Sequence, residues 1–291
     1  VISGESLVRQ FLVGKRFFKN EFGVDNRIMW LPDVFGYSGA LPQIIRKSDI
    51  DYFMTTKISW NEFDKFPFDT FMWRGIDGTE VLSHFIPTQS CDDKGFMTTY
   101  NGYLSPDQVI GGWRRYSNKD LNKNVLFSYG WGDGGGGPTR DMLEHGRRME
   151  KGIPGCPTLK QEFARDFFDR LASEVKDSDR LPVWAGELYL EFHRGTLTAQ
   201  SRNKKYNRKS EYLYQDAETL GVLAKLLASK EYPSDKLLAG WKLILLNQFH
   251  DIIPGSSIAA VYEDSKEQYE LVAKEGSEMV NESELAVASL I

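Results

Sequence analysis

Cysteine and histidine are both scarce in this sequence: its 291 residues include two cysteines, Cys91 and Cys156, and four histidines. Two cysteines far apart in dissimilar surroundings build neither a disulfide framework nor a cysteine-based zinc site, so a reducing, cytoplasmic compartment is expected. No His-x-x-x-His pair is present to form a metal site by itself. Long hydrophobic runs are missing too, since stretches such as Leu243–Leu246 fall far short of the roughly 20 residues that span a bilayer. Concentrated positive charge is absent: 36 basic residues against 41 acidic ones leave a net charge of -5. That balance excludes the field that nucleic acid or an anionic membrane would require. The first residues, Val1–Ser6, show neither an initiator Met nor the basic-then-apolar order of a signal peptide. They run straight into an amphipathic pattern, as expected of a chain that begins inside a larger protein.

What is present suits an ordered enzyme-sized body, because 41% apolar residues in a chain of this length bury a substantial core. Aromatic side chains make up 13%, which fits a sugar-binding cleft as well as ordinary core packing. From Glu5 to Glu21 the residues Leu7, Val8, Phe11, Leu12 and Phe18 recur at helical spacing, and Gly23 follows as a stop. Strands are expected at Ile28–Leu31, Tyr52–Thr56, Glu80–Ile86 and Asn124–Tyr129, with helices over Leu41–Lys47, Asp107–Tyr116 and Gln161–Ser173. A short extended segment falls within Leu181–Phe192. Strands separated by helices imply an α/β fold, a parallel sheet covered by helices. Beyond about Thr196 the pattern becomes helical throughout, over Asn207–Lys230, Ser234–Asn247 and Ile258–Lys274, ending in a Glu- and Ser-rich tail. This predicts a helical bundle after the α/β region.

Three segments carry candidate chemistry. In Trp30–Ser38, Asp33 follows a predicted strand, and carboxyl ends of parallel strands line ligand crevices; Asp after Pro is equally an ordinary turn residue. In Gly130–Pro138, Asp133 stands among glycines that let a loop approach a ligand or adopt positive φ. A plain mobile turn has the same composition, while a phosphate-binding loop would need the Gly-Lys-Ser/Thr ending that Pro138 replaces. In Asn247–Ser256, His250 ends a predicted helix beside Asp251. A neutral imidazole there suits zinc and the carboxylate suits a substrate hydroxyl, although a core or capping histidine would look the same. His84 falls in a strand, His145 on a charged helix and His193 in Glu191–Gly195.

Together these segments, with Glu187–Thr196, resemble the motifs of glycoside hydrolase family 38, above all its cytosolic or bacterial α-mannosidase branch. The resemblance covers essentially the whole chain. It implies that residues 1–195 form the later part of a β/α barrel-like catalytic domain and residues 196–291 a helical middle domain. It further implies a retaining α-mannosidase acting on mannose-containing oligosaccharides, with Zn2+ as cofactor. Asp33 would be nucleophile and zinc ligand, His250 another zinc ligand, Phe35 a neighbour in the sugar site, Asp251 an acceptor for sugar hydroxyls and Asp133 the general acid/base. Relatives often place two acidic residues where this sequence has Asp133 followed by glycines. The family's other two zinc ligands come from an early His-x-Asp motif, which occurs nowhere in these residues. Residues 1–291 alone are therefore expected to bind zinc weakly and to lack activity.

Two other readings use the same residues. A metal-dependent carbohydrate deacetylase would activate metal-bound water and release acetate instead of mannose. A non-catalytic sugar-binding fragment would bind mannose without turnover.

Overall fold

A computed structural model describes residues 2–88 and 99–290, which leaves Cys91 outside the described residues. The chain divides into two units, one of Asp25–His193 and one of Val1–Val24 with Arg194–Ile291.

The first unit is built on five strands: β1 (Ile28–Trp30), β2 (Tyr52–Thr55), β3 (Thr70–Arg74), β4 (Glu80–Phe85) and β5 (Val183–Ala185). Their spatial order is β1-β2-β4-β3-β5. β1, β2 and β4 run parallel, but β3 pairs antiparallel with β4, so the sheet is mixed and not wholly parallel. The departure has a local cause. Asp77-Gly78 sits between two apolar segments, and the turn closes with Gly75 N donating to Thr79 O at 2.9 Å while Thr79 N donates to the Asp77 carboxylate. Asp-Gly between strand-like runs is a hairpin signal.

Strand alternation then separates two faces. Met54 and Leu82 point to the helix at Ala164–Val175, where Phe167, Phe168, Leu171 and Val175 complete a core. Phe53 points the other way, its ring 4.9 Å from those of both Tyr37 and Trp73. Three more helices belong to this unit, Leu41–Lys47, Pro106–Arg115 and Arg140–Met149. The expected strand at Asn124–Tyr129 does not form. Its backbone is drawn to side chains in place of a ladder, with Asn122 Nδ2 donating to Asn124 O and Leu126 N donating to His84 Nε2 at 3.4 Å. Only Tyr129 makes an isolated bridge, to Gly102.

The second unit is a bundle of four helices: α1 (Gly4–Phe22), α6 (Ser201–Ala228), α7 (Ser234–Leu246) and α8 (Ala259–Ala288), the four helices of the first unit being α2 to α5 in chain order. Ser3 caps α1 by accepting from Ser6 N, and Gly23 ends it in the left-handed conformation. Tyr214, Ala217, Trp241, Ile244, Val272 and Met279 form the bundle core. The Glu- and Ser-rich tail expected after Lys274 is part of α8, because Gly276, Met279 and Ser283 keep helical spacing and stay buried. Glu211 is fully buried and is satisfied by Ser3 N, Ser6 Oγ and Arg208 at 2.9, 2.7 and 2.6 Å. No described helix is long and apolar enough to cross a membrane.

Candidate active site

Because β1 and β2 are parallel, their carboxyl ends leave the sheet on the same side, and the residues that follow them meet. Asp33 lies in the turn after β1, and Lys57 opens a short 3-10 turn, Lys57–Trp60, after β2. The Pro32 carbonyl ties the two turns together, accepting from Thr56 N, Thr56 Oγ1 and Lys57 N at 3.2, 2.7 and 3.1 Å. Behind it, the buried Tyr37 hydroxyl donates to Leu31 O at 2.6 Å. Lys57 Nζ is thereby held against Asp33 Oδ1, with 6% of the lysine side chain exposed and 17% of the aspartate. The ammonium also lies 4.0 Å from the Trp60 ring centroid and 5.4 Å from that of Phe35, a cation-π bracket on a charge taken out of bulk water.

Phe35 packs edge-on to His193 at 4.7 Å between ring centroids. His193 holds a backbone φ of 60°, a conformation that costs a non-glycine residue energy. The segment leading to it is anchored by Glu191, whose carboxylate accepts from the backbone N–H groups of Glu62, Phe63 and Asp64.

Asp133 belongs to the same unit. Its loop closes on itself through Trp131 N to Gly137 O at 2.9 Å and Gly137 N to Trp131 O at 3.2 Å. Gly130, Gly134, Gly136 and Gly137 all have positive φ, as the glycine-rich composition predicts. The neighbouring strand-like segment is registered by Gly130 N donating to Gly102 O at 2.9 Å. That contact delivers two side chains to the acid: Tyr100 Oη donates to Asp133 Oδ1 at 2.8 Å and Asn101 Nδ2 to Oδ2 at 2.7 Å. Burial, then the Asp133 hydrogen bond, then the Asp33 charge push the Tyr100 phenol well above its ordinary value. The charges of Asp33 and Asp133 are therefore both felt at the Tyr100 hydroxyl.

In the helical unit, His250 and Asp251 stand in the turn that follows α7. Gln10 Nε2 of α1 donates to Leu245 O at 2.9 Å, and Gln248 Nε2 donates to Ser6 Oγ and Asn207 Oδ1 at 3.0 and 2.9 Å. The end of α7 is thus pinned just before the histidine. Asp251 Oδ1 accepts from Ser256 Oγ at 2.8 Å, and its other oxygen, Oδ2, is 3.7 Å from His250 Nε2. That separation fits two neighbouring donors around one tetrahedral ion with bonds of about 2.0–2.2 Å, and imidazole with carboxylate is a donor set that zinc accepts.

The remaining histidines of the α/β unit have structural roles. His84 is fully buried, pairs with Thr70 Oγ1 at 2.9 Å, and burial pushes it down to about 3, so it stays neutral. His145 Nδ1 meets the Leu104 carbonyl at 3.1 Å. Lys57, Tyr100 and Asn101 are the residues that sequence reasoning missed. Lys57 had a usable signal, its place just past the carboxyl end of a predicted parallel strand, whereas no periodicity or motif marks Tyr100 and Asn101.

Comparison with known proteins finds two family matches along the chain. Residues 1–187 match the profile of the glycosyl hydrolases family 38 N-terminal domain, and residues 191–286 that of the alpha mannosidase middle domain. The chain is 41% identical to an alpha-mannosidase of Saccharomyces cerevisiae over 89% of its own length and 24% of that protein. It is 40% identical to alpha-mannosidase 2C1 of Homo sapiens over 99% of its length and 26% of that protein. It therefore spans about a quarter of the length of these curated relatives. A crystal structure of an alpha-mannosidase from Enterococcus faecalis shares the fold, with a TM-score of 0.79 at 21% identity over 99% of this chain and 32% of that one.

Proposed function

The chain belongs to glycoside hydrolase family 38, and on that footing we propose that the full-length protein is a retaining, zinc-dependent α-mannosidase that removes terminal α-linked mannose from glycans. The observation that carries this reading is the Tyr100 hydroxyl, which donates to Asp133 at 2.8 Å while the Asp33 charge also pushes that phenol up. Retaining glycosidases hold their two carboxyl groups about 5–5.5 Å apart, whereas inverting ones leave room for a water between them. One hydroxyl that donates to Asp133 and feels the Asp33 charge favours the first arrangement.

In the proposed reaction a carboxylate oxygen of Asp33 attacks the anomeric carbon as the bond to the leaving oxygen breaks, and Asp133 gives its proton to that oxygen. Water then attacks the glycosyl ester on Asp33, with Asp133 taking the water's proton, and the two inversions retain configuration. Asp33 and His250 are the proposed zinc ligands, and the ion's contribution is to hold sugar hydroxyls and favour distortion of the ring. Asp251 accepts a sugar hydroxyl, and Phe35 forms part of the wall against the sugar. Lys57, locked between Asp33 and two rings, keeps the nucleophile's carboxylate oriented. The low cysteine count supports a cytoplasmic location.

The test is hydrolysis of an aryl α-mannoside by the full-length protein, followed by proton NMR, with zinc measured in the same sample. The α-anomer of mannose should appear first, and Asp33→Ala should abolish turnover. First appearance of the β-anomer would rule out retention. Acetate released from an acetylated sugar would favour a deacetylase, and mannose binding without turnover a sugar-binding protein.

A further inference from the structure

The turn bearing His250 and Asp251 is fastened from a direction that its own sequence does not reveal. Lys204, in the first turn of α6, directs its ammonium at three main-chain carbonyls, Ala199 O at 2.5 Å, Ile253 O at 2.8 Å and Pro254 O at 3.2 Å. An ammonium has three N–H donors, and here three carbonyls accept them. Two of these carbonyls lie three and four residues beyond His250, and the third belongs to the segment entering α6.

The surrounding bonds complete the fastening. Asn203 Nδ2 donates to Ile252 O at 3.4 Å and is itself oriented by Ser265 Oγ, which donates to Asn203 Oδ1 at 2.6 Å. Tyr262 Oη, reaching from α8, donates toward Asp251 O at 3.2 Å and Ile252 O at 3.3 Å, and accepts from Ser257 N at 3.1 Å. Carbonyls of a turn leaving a helix have no partner within the helix, and a half-buried one without a donor is costly. A charged donor strengthens each bond. Among these contacts Lys204 alone supplies charge, and it alone joins the turn to the segment before α6.

We propose that Lys204 is a positioning residue: its ammonium serves as an internal cation that fixes the turn after α7 in the shape presenting the His250 imidazole and the Asp251 carboxylate. Its value to catalysis rests on the zinc and sugar roles proposed above for those two side chains. Its structural part does not, so the two can fail separately. Removing the ammonium leaves three carbonyls without their donor, frees the turn to sample other conformations and lowers the fraction of molecules in which the imidazole is ready to bind metal. Partners that orient a metal ligand are worth about 10–100-fold in affinity when lost.

The experiment compares Lys204→Met and Lys204→Arg with wild type in the full-length protein, by hydrogen exchange of the metal-free form, by zinc competition titration and by kcat and KM on an aryl α-mannoside. In Lys204→Met, peptides covering Phe249–Ser257 should exchange at least about 10-fold faster while peptides of the β-sheet keep wild-type protection. Zinc affinity should fall about 10–100-fold, and excess zinc should restore part of kcat. Lys204→Arg, which keeps charge and donors, should recover most of the protection and the affinity. Unchanged exchange and unchanged zinc affinity in Lys204→Met would overturn the proposal. If Lys204→Met does not fold, Lys204→Gln takes its place. Global loss of protection in both would also overturn it, since a positioning role requires a local effect. Faster exchange at the turn in Lys204→Met, when the wild-type protein proves to bind no zinc, would sustain the positioning of the turn and dismiss the metal reading.

Discussion

The Tyr100 hydroxyl donates to Oδ1 of Asp133 over 2.8 Å, while Asn101 occupies the other carboxylate oxygen. An acid that must reach a leaving oxygen benefits from this grip, because its reach is set by two side chains and not by a glycine-rich loop alone. Asp133→Ala in the full-length protein should therefore cost about 10²–10⁴-fold in kcat/KM on an unactivated mannoside, and far less on a dinitrophenyl mannoside that departs without protonation. Tyr100→Phe should show the same leaving-group dependence at roughly a tenth of the wild-type rate, one decade being about 1.4 kcal/mol of barrier. Equal losses on both substrates would show that Asp133 is not the acid.

Lys57 is buried and pairs with the partly exposed Asp33, and removing one partner of a fully buried pair commonly costs about 3–5 kcal/mol because the other charge is left behind. Lys57→Met should therefore lower the unfolding free energy of the metal-free protein by at most about 3 kcal/mol, and added zinc should recover part of the loss if Asp33 is a ligand. Denaturant unfolding with and without zinc measures both. An unchanged midpoint would mean that the pair contributes nothing to stability.

Much of this arrangement was legible in the sequence, and the failures have physical causes. Helices such as α1 and α7 follow from apolar spacing, with Gly23 as the stop after α1, and Asp33 follows from its place after a predicted strand. β3 was missed although Asp77-Gly78 marks its hairpin, because Phe66, Phe68 and Phe71 blur the alternation that would identify a strand. Asn124–Tyr129 has strand-like composition, yet His84 and Asn122 claim its backbone groups, and no local pattern encodes a competitor that lies some forty residues away. Lys57 and Tyr100 come to Asp33 and Asp133 through parallel pairing and the Gly102–Tyr129 bridge. Their importance lies in topology more than in local sequence.

Asp69 provides a pH test independent of the candidate chemistry. Its carboxyl is buried and accepts from Ser117 N and Ser117 Oγ, yet burial outweighs those bonds and pushes it up from 3.8 to about 6. The folded state therefore holds this proton more tightly than the unfolded chain. The stabilisation is fully present below pH ~3.8 and is lost as pH rises through ~6, a difference of about 3 kcal/mol at 1.36 kcal/mol per unit. Asp69→Asn keeps an acceptor for Ser117 and has no proton to lose, so its stability relative to wild type should rise by about 2 kcal/mol between pH 4 and pH 6. Parallel stability curves for the two proteins over this range would contradict the assignment.

Gly255 joins two constraints that can be separated experimentally. Its φ of +91° disfavours any L side chain, and a Cβ there would lie 2.9 Å from the carbonyl carbon, the oxygen and the Cβ of Ala199. Ala199 is the residue whose carbonyl Lys204 holds, so a shift there disturbs the entry to α6 and the turn after α7 together. Gly152 has nearly the same φ, +85°, with nothing within 4 Å of its would-be Cβ. Gly152→Ala should therefore show the cost of the conformation alone, about 1–2 kcal/mol, whereas Gly255→Ala adds overpacking of about 1–3 kcal/mol. The extra loss should be local, appearing as faster hydrogen exchange over Phe249–Ser257 and as weaker zinc binding if His250 is a ligand, with β-sheet peptides unaffected. Equal destabilisation by the two substitutions, with no change in exchange around His250, would mean that the Ala199 contact yields freely and that the turn is not held by it.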